Sequence, residues 1–345
     1  MRKLIIAVAI SSVLSFSALA NTLPKVTIFG TGGTIAGEAK TTTDVTGYKS
    51  GEIAISTLIE AVPSIVDVAN VDGIQIVNTA SANITSEILL QMAKKANELL
   101  KKDISGIIIT HGTDTTEETA FFMDLVNQTD KPIIVVGAMR PATAISADGP
   151  MNLLNAVKLA ANEDSVGRGA MILLNDYIGS AYYTTKTNAI SLDTFKARDQ
   201  GYLGTFADGV ARFYFDASKA TGKPNFDVSK VDELPRVDII YGYQDMKVDQ
   251  INALIDAGAE GIVIAGSGNG SIPTAVKDKV IELNKNGFPV VLSTRTGGGF
   301  VTHKDYAIGS GTLNPQKSRI MLMLALTKTK QLSDIEKFYG TSKLN

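Results

Sequence analysis

The stretch "FGTGGTIAG", residues 29–37, sets four glycines and two threonines directly behind the apolar run "KVTI". Glycines placed after a strand mark a tight turn or a close backbone approach to a ligand. A nucleotide-binding loop has no need of a hydroxyl at Thr31 or Thr34, whereas an enzyme that attacks with threonine requires one. A threonine hydroxyl is a poor nucleophile near neutral pH and needs a partner to take its proton. The available partners are Asp114, which follows Thr113 in "THGTD", Lys186 in "TTKTN", and Tyr48 in the polar loop "KTTTDVTGYKSG". Ser81, in "NTASAN", adds another hydroxyl. Each has a plainer reading. Asp114 suits a cap on a helix beginning near Thr115, Lys186 a solvated surface lysine, and Tyr48 a partly exposed loop aromatic. His111 reads as a packed, hydrogen-bonded histidine without a catalytic role, and "GSGNG" (266–270) as a turn.

Other chemistries fail on spacing or composition. A G-x-G-x-x-G fingerprint starting at Gly30 needs glycine at Ile35, and one starting at Gly32 needs it at Thr34. Neither a phosphate-cradling G-x-x-x-x-G-K-[ST] loop nor a G-x-S-x-G elbow occurs. With no cysteine and only His111 and His303, zinc and iron–sulfur sites of cysteine type are excluded, and no acidic cluster suggests another metal. Basic runs interleaved with aromatics are absent, so nucleic acid is not an expected partner.

These residues need elements to hold them. The runs 25–29, 74–78, 106–110, 132–137 and 170–174 read as strands buried on both faces, with helices over 86–102, 116–128 and 150–162 between several of them. Thr115 with Glu118 spells a capping box, and Pro150 suits a first helical turn. Alternating β and α predicts a mostly parallel, doubly wound sheet. Its ligands bind beyond the carboxyl ends of the strands. The loops leaving four successive strands there carry Thr34, Ser81, Thr113 with Asp114, and "GAMRP" with Ala138, which together would line one pocket. From about 211 the pattern dissolves into a polar stretch. It resumes as strands 237–242, 261–266 and 288–293 with helices 247–257 and 273–286. A last helix follows Asn314, an expected N-cap, and its Met and Leu stripe reads as core.

The expected organisation is a signal peptide over 1–20, an N-terminal domain over 21–212, a connection over 213–235 and a smaller C-terminal parallel-sheet α/β domain over 236–345. Arg2 and Lys3 precede "LIIAVAISSVLSF", and Ala18-Leu19-Ala20 makes a small-x-small cleavage site. That apolar run is shorter than the roughly 20 residues a membrane span needs. Removing it lowers the basic count from 33 to 31, against 35 acidic residues. A periplasmic or secreted protein follows, with no membrane segment in the mature chain.

"TGGTIAG" (31–37), "THGTDTTEETA" (110–120) and "VGAMRPATAISADGPMNLLNAV" (136–157) resemble the signature segments of the L-asparaginases, in particular the bacterial type II group that includes glutaminase-asparaginases. The likeness continues through "AGSGNG" (265–270) and "SGTLNPQKSRIMLMLALT" (310–327), essentially the whole mature chain. The resemblance implies hydrolysis of L-asparagine to L-aspartate and ammonia, with some glutamine activity and without metal or organic cofactor. It implies Thr34 as nucleophile, Tyr48 as the lid tyrosine that orients it, and Thr113, Lys186 and Asp114 as a second activating group. Ser81 would hold the substrate α-carboxylate, Asp114 the α-ammonium, and the Ala138 backbone would meet the side-chain amide. Asn269 would enter from a neighbouring subunit of a homotetramer. Two positions depart from the family. Ala82 stands where glutamine or glutamate normally helps to bind the α-ammonium. The loop "RTGGGFVTHKD" (295–305) is short, and Asp305 at its far end does not match the acidic residue a neighbour normally supplies. A periplasmic amino-acid binding protein that has lost turnover is the competing reading, and a mere binder has no use for an activated nucleophile.

Overall fold

Residues 106–110, "GIIIT", are buried throughout, and their side chains alternate between two cores. That alternation is the period of a strand covered on both faces. The computed structural model describes residues 23–340; the expected signal peptide lies outside them. The chain opens with β1 (Lys25–Gly32), followed by the short hairpin β2 (Glu38–Ala39) and β3 (Tyr48–Lys49). After α1 (Ile55–Glu60) come β4 (Asn70–Thr79), α2 (Ser86–Leu100), β5 (Gly106–Thr110), α3 (Thr116–Val126), β6 (Ile133–Val136), α4 (Gly149–Ala161) and β7 (Ala170–Leu174). Next are β8 (Tyr177–Ser180), the paired two-residue strands β9 (Thr185–Lys186) and β10 (Phe195–Lys196), β11 (Gly204–Ala207) and β12 (Val210–Phe213). The remainder comprises β13 (Val237–Tyr241), α5 (Asp249–Asp256), β14 (Gly261–Gly266), α6 (Thr274–Lys285), β15 (Val290–Thr294), β16 (Ile308–Gly309), α7 (Pro315–Leu326) and α8 (Leu332–Lys337).

The larger sheet has the order β12-β11-β8-β7-β6-β5-β1-β4. It is parallel from β4 to β7 and antiparallel from β7 to β12. The smaller sheet, β13-β14-β15-β16, is parallel throughout. In the larger sheet Ile107 and Ile109 pack toward α2 and α3, while Ile108 packs toward α4. Val263 and Val291 of the smaller sheet join the first of those cores through α7, so α3 and α7 lie within one apolar mass. Burial of that mass supplies the drive that holds the two sheets together.

Several expectations change. β4 is an edge strand, half exposed, rather than buried on both faces. The four-residue strands β8, β11 and β12 are too short to give a strong apolar run and depart from the expected alternation. Their signal lies in the turns: Asn175-Asp176 joins β7 to β8 and Asp208-Gly209 joins β11 to β12, all four at positive φ, as tight hairpins demand. β12 therefore extends to Phe213, one residue into the expected connection. α8 is an additional terminal helix. The capping box is absent: Thr115 makes no cap bond and instead donates its hydroxyl to the Ser81 carbonyl at 2.9 Å. Asn314 does cap α7, accepting from the Lys317 amide at 2.9 Å.

Candidate active site

β1 runs into Gly32 and Gly33, both at positive φ (99° and 80°), and Thr34 begins a single 3-10 turn. The two threonines of this crest have separate partners. Thr31 donates to the Thr110 carbonyl at 2.8 Å and ties β1 to β5. Thr34, buried, has its Oγ1 2.6 Å from the Tyr48 hydroxyl. Tyr48 reaches it because Gly37 leaves room: a Cβ there would lie 2.9 Å from Tyr48 Cδ2. The β2–β3 hairpin that carries Tyr48 is held down by the segment after β6. Ala39 N donates to Thr143 Oγ1 at 2.9 Å, Ala142 N to Gly37 O at 3.0 Å and Ile145 N to Thr42 O at 2.9 Å.

A second hydroxyl group forms at the end of β5. Lys186 Nζ donates to Thr113 Oγ1 at 3.0 Å and to Asp114 Oδ1 at 2.7 Å. Asp114 thus pairs with the lysine instead of capping α3. Its side chain is 78% exposed while that of Lys186 is 13% exposed, so a largely buried amine is paired with a carboxylate at the surface. The lysine is presented by the short β9–β10 ladder, in which Lys186 faces Phe195. Because Thr113 Oγ1 accepts this bond, its own hydrogen is left to point elsewhere. His111, fully buried, braces the crest from beneath, with Nδ1 2.8 Å from the Gly112 carbonyl and Nε2 2.9 Å from Thr119 Oγ1. Burial pushes its pKa down to about 4, so the ring is neutral, Nδ1 donates to the carbonyl and Thr119 donates to Nε2.

Glycine contacts join the groups. A Cβ on Gly33 would lie 2.3 Å from Gly112 Cα, and one on Gly112 would lie 2.9 Å from Ser81 Oγ. The crests that bear Thr34, Thr113 and Ser81 therefore meet at van der Waals distance, on the three adjoining strands β1, β5 and β4. Ala138 follows β6 and is buried. Its loop is gathered by Asp148, which accepts from Met139 N at 3.0 Å, Arg140 N at 2.9 Å and Asn152 Nδ2 at 3.1 Å. Asp148 is not singled out by the sequence reading. Its local signal, an aspartate directly ahead of a Gly-Pro helix start, points to a helix cap, whereas its oxygens instead hold the loop after β6. Ala82 is exposed in the 3-10 turn Ser81–Asn83, and the neighbouring Asn83 donates to Thr79 Oγ1 at 3.2 Å. Asn269 is the residue not gathered here. It sits beyond β14 and is clamped by Thr302, whose amide donates to Oδ1 at 2.9 Å and whose hydroxyl accepts from Nδ2 at 3.1 Å. Asp305 lies in the turn between Lys304 and Ala307. Among the described residues no group of three His, Cys, Asp or Glu side chains stands together as a metal site, and no helix is long and apolar enough to cross a membrane.

Fold and site define a two-domain α/β protein with hydroxyl side chains gathered at the carboxyl ends of its main sheet. Residues 25–219 match the family model described as "Asparaginase, N-terminal", and residues 236–339 match "Glutaminase/Asparaginase C-terminal domain". The chain belongs to the asparaginase family. It is 51% identical over 327 residues to L-asparaginase 2 of Bacillus subtilis, covering 92% of this chain and 86% of the relative. It is 44% identical over 336 residues to L-asparaginase 2 of Escherichia coli, covering 95% and 96%. A solved structure described as a probable cytoplasmic L-asparaginase from Campylobacter jejuni superposes with a TM-score of 0.89 at 46% identity, over 92% of this chain and all of that one.

Proposed function

We propose that this protein hydrolyses L-asparagine to L-aspartate and ammonia, with Thr34 as the nucleophile. The observation that carries the reading is the 2.6 Å contact between Thr34 Oγ1 and the Tyr48 hydroxyl, at a crest that touches the Thr113 crest through Gly33 and Gly112. Thr34 Oγ attacks the amide carbon, the C–N bond breaks, and the proton lost by Thr34 leaves with the nitrogen as ammonia. The aspartyl ester of Thr34 is then cleaved by water, which restores the hydroxyl. Tyr48 fixes the direction of the Thr34 hydroxyl, and Thr113, held by Lys186 and Asp114, supports the developing oxyanion and the proton movements. Ser81 receives the α-carboxylate and Asp114 the α-ammonium in this reading. Some glutamine hydrolysis at the same site accompanies that of asparagine. This chemistry calls on no metal or organic cofactor. The protein is exported by residues 1–20 to the periplasm or medium, and Asn269 completes the site of a neighbour in a homotetramer.

Ammonia release from asparagine by the purified protein, with and without Thr34→Ala, tests the proposal. Thr34→Ala removes turnover and leaves aspartate binding and the unfolding midpoint nearly unchanged. Turnover near that of the wild type would pass the nucleophile's role to Thr113. A binding protein without turnover would release no ammonia in either form, and the paired hydroxyl groups speak against it.

A further inference from the structure

Lys186 is delivered by a strand only two residues long, and the residues that precede it are gripped by α7. Lys317, buried in the first turn of α7, donates to the carbonyls of Ala181 (2.9 Å), Tyr182 (2.9 Å) and Thr184 (2.7 Å). Three carbonyls exhaust the donors of an ammonium group and offset the cost of burying it. Three residues earlier, Asn314 caps the same helix with its oxygen and spends its amide nitrogen on two groups of the larger domain. Nδ2 lies 2.8 Å from Glu117 Oε2 and 3.3 Å from Thr185 Oγ1. Glu117 is itself buried in the first turn of α3, four residues after Thr113. The bonds form a closed circuit: Thr113 leads through the backbone to Glu117, Glu117 to Asn314, Asn314 to Thr185, and Lys186 back to Thr113.

We propose that Asn314 and Lys317 are positioning residues for Lys186, so that the C-terminal part of each chain sets the Thr113–Lys186 pair of that same chain. The inference rests on the role proposed above for Lys186. A burial role alone does not explain the arrangement. An apolar α7 would fill the shared core equally well, whereas these two side chains make four hydrogen bonds to residues 181–185, directly ahead of Lys186. Lys317 cannot reach the substrate pocket while its Nζ holds three carbonyls, so it acts through the backbone that carries Lys186.

The test is a double-mutant cycle between Asn314→Ser and Lys186→Met, read as kcat, KM and unfolding midpoint. Serine keeps the oxygen that caps α7 and loses the amide nitrogen, so the helix stays capped. Asn314→Ser lowers kcat by about tenfold with KM within about twofold of wild type, and in the Lys186→Met background it lowers the residual kcat by less than about twofold. The same fold loss in both backgrounds, or wild-type kcat in folded Asn314→Ser, overturns the inference. If Asn314→Ser does not fold, Thr185→Val cuts the same contact from the other side with little change in volume and is read in the same cycle. Wild-type kcat in Lys186→Met alone would remove the proposed role of Lys186 and the inference with it. Additive losses with a crippled Lys186→Met would remove the inference and leave that role standing.

Discussion

Gly33 and Gly112 meet backbone to backbone: a Cβ on Gly33 would come within 2.3 Å of both Cα and N of Gly112. The contact sets the spacing between the crest that carries Thr34 and the crest that carries Thr113. Gly33 also holds φ at 80°, a region that side-chain-bearing residues rarely adopt.

Gly33→Ala should therefore be doubly penalised, by backbone strain and by overpacking, for a total on the order of 3 kcal/mol. Denaturant unfolding measures the loss, and ammonia release should fall with it because the two crests are pushed apart. An alanine variant with wild-type stability and activity would contradict the contact.

In the proposed substrate site, Ala82 stands where a carboxamide or carboxylate would meet the α-ammonium. A bond to a charged α-ammonium contributes on the order of 1.5–3 kcal/mol, which at about 1.4 kcal/mol per tenfold corresponds to one to two orders of magnitude in affinity. Ala82→Gln is expected to lower KM for asparagine by about tenfold and to change kcat less. An unchanged or higher KM with the fold intact would show that Asn83 or Asp114 already serves the ammonium.

Asn269 is held by Thr302 and makes no hydrogen bond to Thr34, Tyr48, Thr113 or Lys186 among the described residues. Subunit sharing then predicts complementation. Inactive Thr34→Ala and inactive Asn269→Ala proteins, mixed under conditions of subunit exchange, should regain part of the wild-type rate, because hybrid assemblies hold sites with both residues intact. Absence of rescue after exchange has been verified would mean that each chain completes its own site.

His111 links the crest to pH. Its folded pKa of about 4 lies below the ordinary 6.5, so between these values the unfolded chain binds a proton that the folded chain refuses. Its contribution to stability is complete above pH 6.5 and is lost as pH falls through about 4, a total on the order of 3 kcal/mol. His111→Gln should flatten the pH dependence of the denaturant midpoint in this window. A wild-type slope in that variant would assign the acid sensitivity to the carboxylates instead.

The amino-acid sequence by itself determined the alternation of strands and helices, the glycine-rich crest and the hydroxyls at successive strand ends. These are local properties: runs such as "GIIIT" report burial on two faces, and "GTGGT" reports positive φ. Tertiary structure decided among partners. Asp114 had two local options, a helix cap or an ion pair, and the lysine 72 residues away settled the choice. Thr115 surrendered its cap to the Ser81 carbonyl, 34 residues distant in the chain, because β4 and β5 flank β1 and bring those loops together. The antiparallel β8, β11 and β12, four residues each, are too short to announce themselves except at their turns. The grip of α7 on the Lys186 strand spans more than a hundred residues. Neither periodicity nor spacing encodes such a contact, since it exists only once burial has brought α3 and α7 into one core.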